Sequence, residues 1–84
     1  MTSWKFSYEG SEIEVINGWS GEQLLVNNVL QDEQAGMAPR SRLYGSIKSG
    51  DNQSKQIKVS IGGWLTIGCI VFIDNLEVFR SSKR

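Results

Sequence analysis

Few side chains in this sequence could carry chemistry, and most sit where chemistry is hard to build. None of the 84 residues is a histidine, so nucleophile–His–acid triads, His-ligated zinc and the usual neutral-pH proton shuttle are all missing. The one cysteine, Cys69, stands inside the apolar run Leu65 to Ile73 with nothing nearby to lower its pKa. It reads as a small core residue, not a nucleophile. Gly62-Gly63 is followed by neither Lys-Ser/Thr nor a helix, so it is no phosphate cradle. Carboxylates are the remaining acid–base candidates. Glu12 and Glu14 share one strand face about 7 Å apart, a glycosidase-like spacing, but solvated strand residues explain them better. Asp32-Glu33 lacks the interval pattern of a calcium loop. The chain is expected to be no enzyme and to use no metal or cofactor.

Binding chemistry is more visible. Residues 31 to 41 form the longest stretch without a strand pattern and hold the only proline, which predicts a loop. Met37 beside Pro39 and Arg40 gives that loop interface-type residues, and loops on a rigid sandwich are where binding residues usually lie. Trp19, between Gly18 and Ser20 in a turn, has the form of an exposed hot spot. Trp19, Asp32, Met37, Arg40 and Tyr44 are therefore the expected contact residues of a non-enzymatic protein-interaction module. The alternative uses Arg42, Tyr44, Lys48 and Lys58, basic residues interleaved with an aromatic, as platforms for single-stranded nucleic acid are built. With one aromatic and a formal net charge of zero, nucleic acid is the less favoured partner. An uncovered edge strand could also pair with a second copy of the chain.

The elements that must position these residues show a period of two almost throughout. Trp4, Phe6 and Tyr8 alternate with Lys5, Ser7 and Glu9. Ile13, Val15 and Asn17 oppose Glu12, Glu14 and Ile16, and Asn17-Gly18 is a turn signal. Leu24 to Val26 leads into Asn27-Asn28, and Val29-Leu30 begins the return. Leu43, Gly45 and Ile47 alternate with Arg42, Tyr44, Ser46 and Lys48. Ile57, Val59 and Ile61 alternate with Lys58 and Ser60. Trp64 to Ile73 reads as a strand buried on both faces, Asp74-Asn75 as a turn, and Leu76 to Phe79 as the closing strand. About seven to eight short strands joined mostly by tight turns predict one antiparallel β-sandwich or flattened barrel, with an ordered core of about residues 3–80. Trp4, Phe6, Trp64 and Phe72, taken as inward-pointing, leave little room for a small ligand.

Composition agrees. At 9.4 kDa with 39% hydrophobic residues, the chain can build one core and no more. The balance of nine Lys plus Arg against nine Asp plus Glu removes the electrostatic footprint of a dedicated DNA- or membrane-surface binder. One cysteine allows no internal disulfide, which favours a reducing compartment, expected to be the cytoplasm, or simply a chain that needs no staple. The longest apolar run, Trp64 to Ile73, is half a bilayer span, so no membrane partner is expected.

Two further patterns stand out. Ile13-Glu14-Val15 with Gly18-Trp19 recurs as Ile57-Lys58-Val59 with Gly63-Trp64, and Val26-Asn27-Asn28-Val29 recurs as Ile73-Asp74-Asn75-Leu76. A degenerate two-fold repeat is one reading and the reuse of turn residues in a β-meander is the other. In addition, Trp4, Tyr8-Glu9-Gly10, Ile13-Glu14-Val15, Leu25-Val26-Asn27-Asn28, Leu43-Tyr44-Gly45, Ile57-Lys58-Val59 and Val71 to Val78 together resemble the β-sandwich repeats of the Fas apoptosis inhibitory molecule family. That resemblance implies an antiparallel sandwich that is non-enzymatic, cytosolic and active through protein contacts. The family usually carries two such domains where this chain has one.

Overall fold

The computed structural model describes residues 2–36, 40–48, 53–62 and 67–81, with the side chain of Arg40 left out. Eight strands follow one another: β1 (Thr2–Tyr8), β2 (Ser11–Gly18), β3 (Gly21–Val26), β4 (Val29–Ala35), β5 (Arg40–Lys48), β6 (Ser54–Gly62), β7 (Gly68–Ile73) and β8 (Leu76–Arg80). They form two four-stranded antiparallel meanders, β1 to β4 and β5 to β8, each with its strands in sequence order. No strand pairing joins the sheets among the described residues, so the architecture is a sandwich, not a closed barrel.

The period-two pattern explains which face each sheet buries. Ile13, Val15, Leu24 and Val26 of the first sheet meet Leu43, Ile47, Ile57, Val59, Ile61, Cys69, Val71 and Ile73 of the second in one core. In-register pairing keeps these residues on one side: Ile13 faces Val26, Val15 faces Leu24, Val59 faces Val71, and Ile57 faces Ile73.

The two sheets are structural repeats. Asn27-Asn28 and Asp74-Asn75 turn with the same φ values, 51° and 67° in one and 51° and 68° in the other. These are the positive angles a two-residue hairpin turn needs, and Asx residues tolerate them. Each turn is stapled alike: the Glu12 N–H donates to Asn27 Oδ1 and the Asn27 N–H to the Glu12 carbonyl. Gln56 and Asp74 repeat that pair of bonds. Even the register shift recurs, between Leu24 and Leu25 in one sheet and between Val71 and Phe72 in the other. The repeats are offset by 44 residues at Ile13 and Ile57 and by 47 at Val26 and Ile73, because two residues join Gly18 to Gly21 against five between Gly62 and Gly68.

Three sequence expectations are corrected. Residues 31–35 belong to β4 and are not loop, because pairing with β3 (Glu22 with Gln34, Gln23 with Glu33) supplies the ladder that their polar composition hides. The turn after β2 is Trp19-Ser20, with Asn17 and Gly18 still in the strand. Phe72 faces outward, because Val71 and Ile73 on either side of it take the core positions of β7. Trp64, assigned to the core from sequence, lies outside the described residues.

The repeats meet along two unlike seams. At the β4–β5 seam the edge of β5 is capped by side chains of β4: the Tyr44 N–H donates to Asp32 Oδ2 at 2.8 Å and the Ser46 N–H to Gln31 Oε1 at 3.2 Å. Gly45 makes this approach practicable, since a Cβ there would lie 3.0 Å from Leu24 Cδ2 and 3.1 Å from Gln31 Oε1. Phe6 holds the corresponding register in β1, opposite Ile13 as Gly45 is opposite Ile57. It stacks on Phe79 of β8, ring centroids 4.7 Å apart. One seam is therefore closed by polar capping and the other by aromatic stacking.

Among the described residues one carboxylate enters the interior. Glu22 is 5% exposed and accepts a 2.8 Å hydrogen bond from the Ser41 hydroxyl, tying β3 to β5 across the sandwich. Ser41→Ala removes that donor and is expected to cost about 1–3 kcal/mol in urea denaturation. The double variant Ser41→Ala, Glu22→Leu removes both partners and is expected to recover most of the loss.

Candidate binding surface

Alternation in β5, β6 and β7 turns one set of side chains away from the core and onto the outer face of the second sheet. Cross-strand pairing then sets them in rows. Tyr44 lies opposite Lys58 and Lys58 opposite Phe72, while Arg42 lies opposite Ser60 and Ser60 opposite Ile70. Arg42, Tyr44, Lys58, Ser60 and Phe72 line one shallow groove. The Lys58 ammonium sits 5.8 Å from the centroid of the Phe72 ring, close enough for a cation–π contact. Tyr44 is 55% exposed, and two strand spacings, about 10 Å, separate it from Phe72.

The electrostatics of this face are set by what is already paired. Arg80 donates to both carboxylate oxygens of Glu77, at 3.1 and 2.9 Å, which holds the Glu77 pKa below its ordinary value and raises that of Arg80. Lys55 is bonded to Glu9 at 3.0 Å, and that bond raises its pKa. Arg42, Lys48 and Lys58 have no carboxylate partner among the described residues. The groove thus has two free cations, an exposed phenol and a phenyl ring.

The residues expected from sequence are dispersed. Trp19, 87% exposed, tips the turn between β2 and β3, beside Ile16, Gln23 and Glu33 of the first sheet. Tyr44 belongs to the second sheet. Asp32 is half-buried, and its carboxylate is spent on the N–H groups of Glu33 and Tyr44. Its role is to hold the β5 edge, and with it the backbone of Tyr44. Met37 lies outside the described residues. Arg40 opens β5, but its side chain is not described. The alternative set fares differently: Arg42, Tyr44 and Lys58 converge, and Lys48 lies further along the same face of β5. The sequence reading missed Phe72 and Ser60. Strict alternation from Cys69 through Val71 to Ile73 was the signal that places Phe72 outside.

Cys69 is fully buried, and burial pushes its thiol up to about 12. No protein-family model, no curated protein and no solved structure matches the chain.

Proposed function

We propose that this domain is a non-catalytic binding module that takes single-stranded nucleic acid on the outer face of its second sheet. The observation that carries the reading is the groove in which Arg42, Tyr44, Lys58 and Phe72 meet, with neither cation paired to a carboxylate among the described residues. A base stacks on the Tyr44 ring, a second lies against Phe72, and Arg42, Lys48 and Lys58 hold phosphates between and beside them. Stacking on ring faces is tolerant of sequence, so little base preference is expected. Double-stranded partners are disfavoured, because their bases are not available to the rings.

The test is fluorescence anisotropy with a labelled oligothymidylate across a salt series. Three phosphate contacts give a slope of log affinity against log salt of about −2, at about −0.7 per contact on a single strand. Tyr44→Ala is expected to weaken binding by about 1–3 kcal/mol, the worth of one stacked base. Lys58→Ala should reduce the slope by one contact. Salt-independent binding, or none, sinks the reading. A protein-docking reading is favoured by one observation, the exposure of Trp19, and by the family resemblance. Trp19→Ala separates the two, because it leaves oligonucleotide affinity unchanged.

A further inference from the structure

The formal net charge of zero conceals a strong segregation. Residues 1–36 hold one lysine against six acids, whereas residues 37–84 hold eight Lys and Arg against three. Each sheet is a continuous stretch of chain, and although Glu22 is buried, Asp32 caps β5 and Glu9 pairs with Lys55, Glu12, Glu14 and Glu33 remain outward on the first sheet. Pairing sets Lys5, Glu14, Leu25 and Leu30 in one outward row of the first sheet, with Ile16 and Glu33 in the next and Glu12 beyond. Glu12, Glu14 and Glu33 thus surround an apolar centre. The second sheet presents Arg42, Lys48 and Lys58 around Tyr44, Ile70 and Phe72. By the internal repeat, Glu14 and Lys58 hold equivalent positions, opposite Leu25 and Phe72 respectively.

The two faces cannot neutralise each other within one molecule. Packed sheets are about 10 Å apart before their outward side chains are added, and the Debye length at physiological salt is about 8 Å. We infer that the acidic face of the first sheet docks on the basic face of the second sheet in another copy of this chain. Acid then meets base at equivalent positions, and Leu25 and Ile16 cover the Phe72 side of the groove. The interface is heterologous and leaves one face of each kind free, so it propagates as an open stack instead of closing into a dimer. Four strands about 19 Å across and six residues about 20 Å long give about 400 Å² per copy, half a standard interface, so the association is weak and electrostatic. It uses the same basic face as the proposed oligonucleotide site but does not rest on that reading, and the two occupants exclude one another.

Sedimentation velocity on the full chain, free of nucleic acid, tests it. At about 10 mM salt, where the Debye length is about 30 Å, the weight-average mass should rise above 9.4 kDa with concentration. At about 1 M salt, where it is about 3 Å, the mass should return to that of the monomer. Glu14→Lys and Lys58→Glu, both on outward positions, are each expected to lower the association constant by at least about tenfold, since they set like charges face to face. An equimolar mixture of the two variants should recover association, because each retains the native face the other needs. Exposed Glu12→Lys replaces Glu14→Lys if the latter fails to fold. A mass of 9.4 kDa at every salt concentration overturns the inference. So does association that persists at high salt and ignores the reversals. Oligonucleotide binding that survives Glu14→Lys while the chain stays monomeric throughout assigns the basic face to nucleic acid alone.

Discussion

Gly21→Ala is expected to cost about 3 kcal/mol or more, from the sum of backbone strain and overpacking, a large share of the stability of about 4–12 kcal/mol that a domain of this size has. Gly21 opens β3 with φ at +145°, and a Cβ built on it would lie 2.1 Å from the backbone oxygen of Gln34 and 2.9 Å from Ala35 Cα. Both are main-chain atoms of β4, so relief requires the whole strand to move away from β3. That movement would break the ladder that turns residues 31–35 into strand, and with it the placement of Asp32 and Gln31 against β5. Gly10 is the control: its φ is +82°, but nothing lies within 4 Å of a Cβ there. Gly10→Ala should therefore cost only the backbone strain, about 1–2 kcal/mol. Gly68, the counterpart of Gly21 in the second sheet, would meet the Ser81 hydroxyl oxygen at 3.1 Å, a side-chain atom that can give. Urea denaturation of the three alanine variants should rank Gly21 well above the other two. Equal costs at Gly21 and Gly10 would show that the close approach of β4 is not as described.

The second large effect concerns Cys69. At pH 8 a thiol with a pKa of about 12 is ionised about a thousandfold less than one at 9.0. A water-soluble disulfide reagent should therefore react with the native protein at least about a thousandfold more slowly than with the urea-unfolded chain. The same shift links stability to pH. The folded pKa is raised above the unfolded one, so the stabilisation is complete below pH 9 and is lost as pH climbs towards 12. Above pH 9 the unfolded chain has given up a proton that the folded chain retains. Stability then falls by about 1.4 kcal/mol per pH unit from this group. Cys69→Ala removes the group, so the wild type should lose stability more steeply than the variant between pH 9 and 11. Parallel curves, or rapid labelling of the folded protein, would mean that the thiol is open to water.

How much was legible in the sequence differs from strand to strand, for physical reasons. β6 was plain because Ile57, Val59 and Ile61 alternate with polar residues and pack on a core-facing side. The turns at Asn27-Asn28 and Asp74-Asn75 were plain because Asx residues at paired positive φ carry their own signal. β4 was hidden because Gln31 to Gln34 have no apolar alternation to show. As an edge strand it is held by pairing with β3, and its Asp32 and Gln31 side chains cap a neighbour instead of filling the core. The outward turn of Phe72 is hidden by the continuous apolar run through β7, because the second sheet has a covered side and an open one.

By itself the sequence determined the all-β class, about seven to eight antiparallel strands joined mostly by tight turns, and most of the core-facing residues, among them Ile13, Val15, Leu43, Ile57, Val59 and Ile61. Each of these follows from residue type and short-range spacing, which a strand converts directly into facing direction. The tertiary structure decided what depends on pairing between distant segments. It brought Phe72 beside Tyr44 and Lys58, spent Asp32 on the edge of β5, buried Glu22 against Ser41, and turned a charge asymmetry along the chain into two oppositely charged faces. Those outcomes rest on register and sheet order, which no local stretch of residues specifies alone.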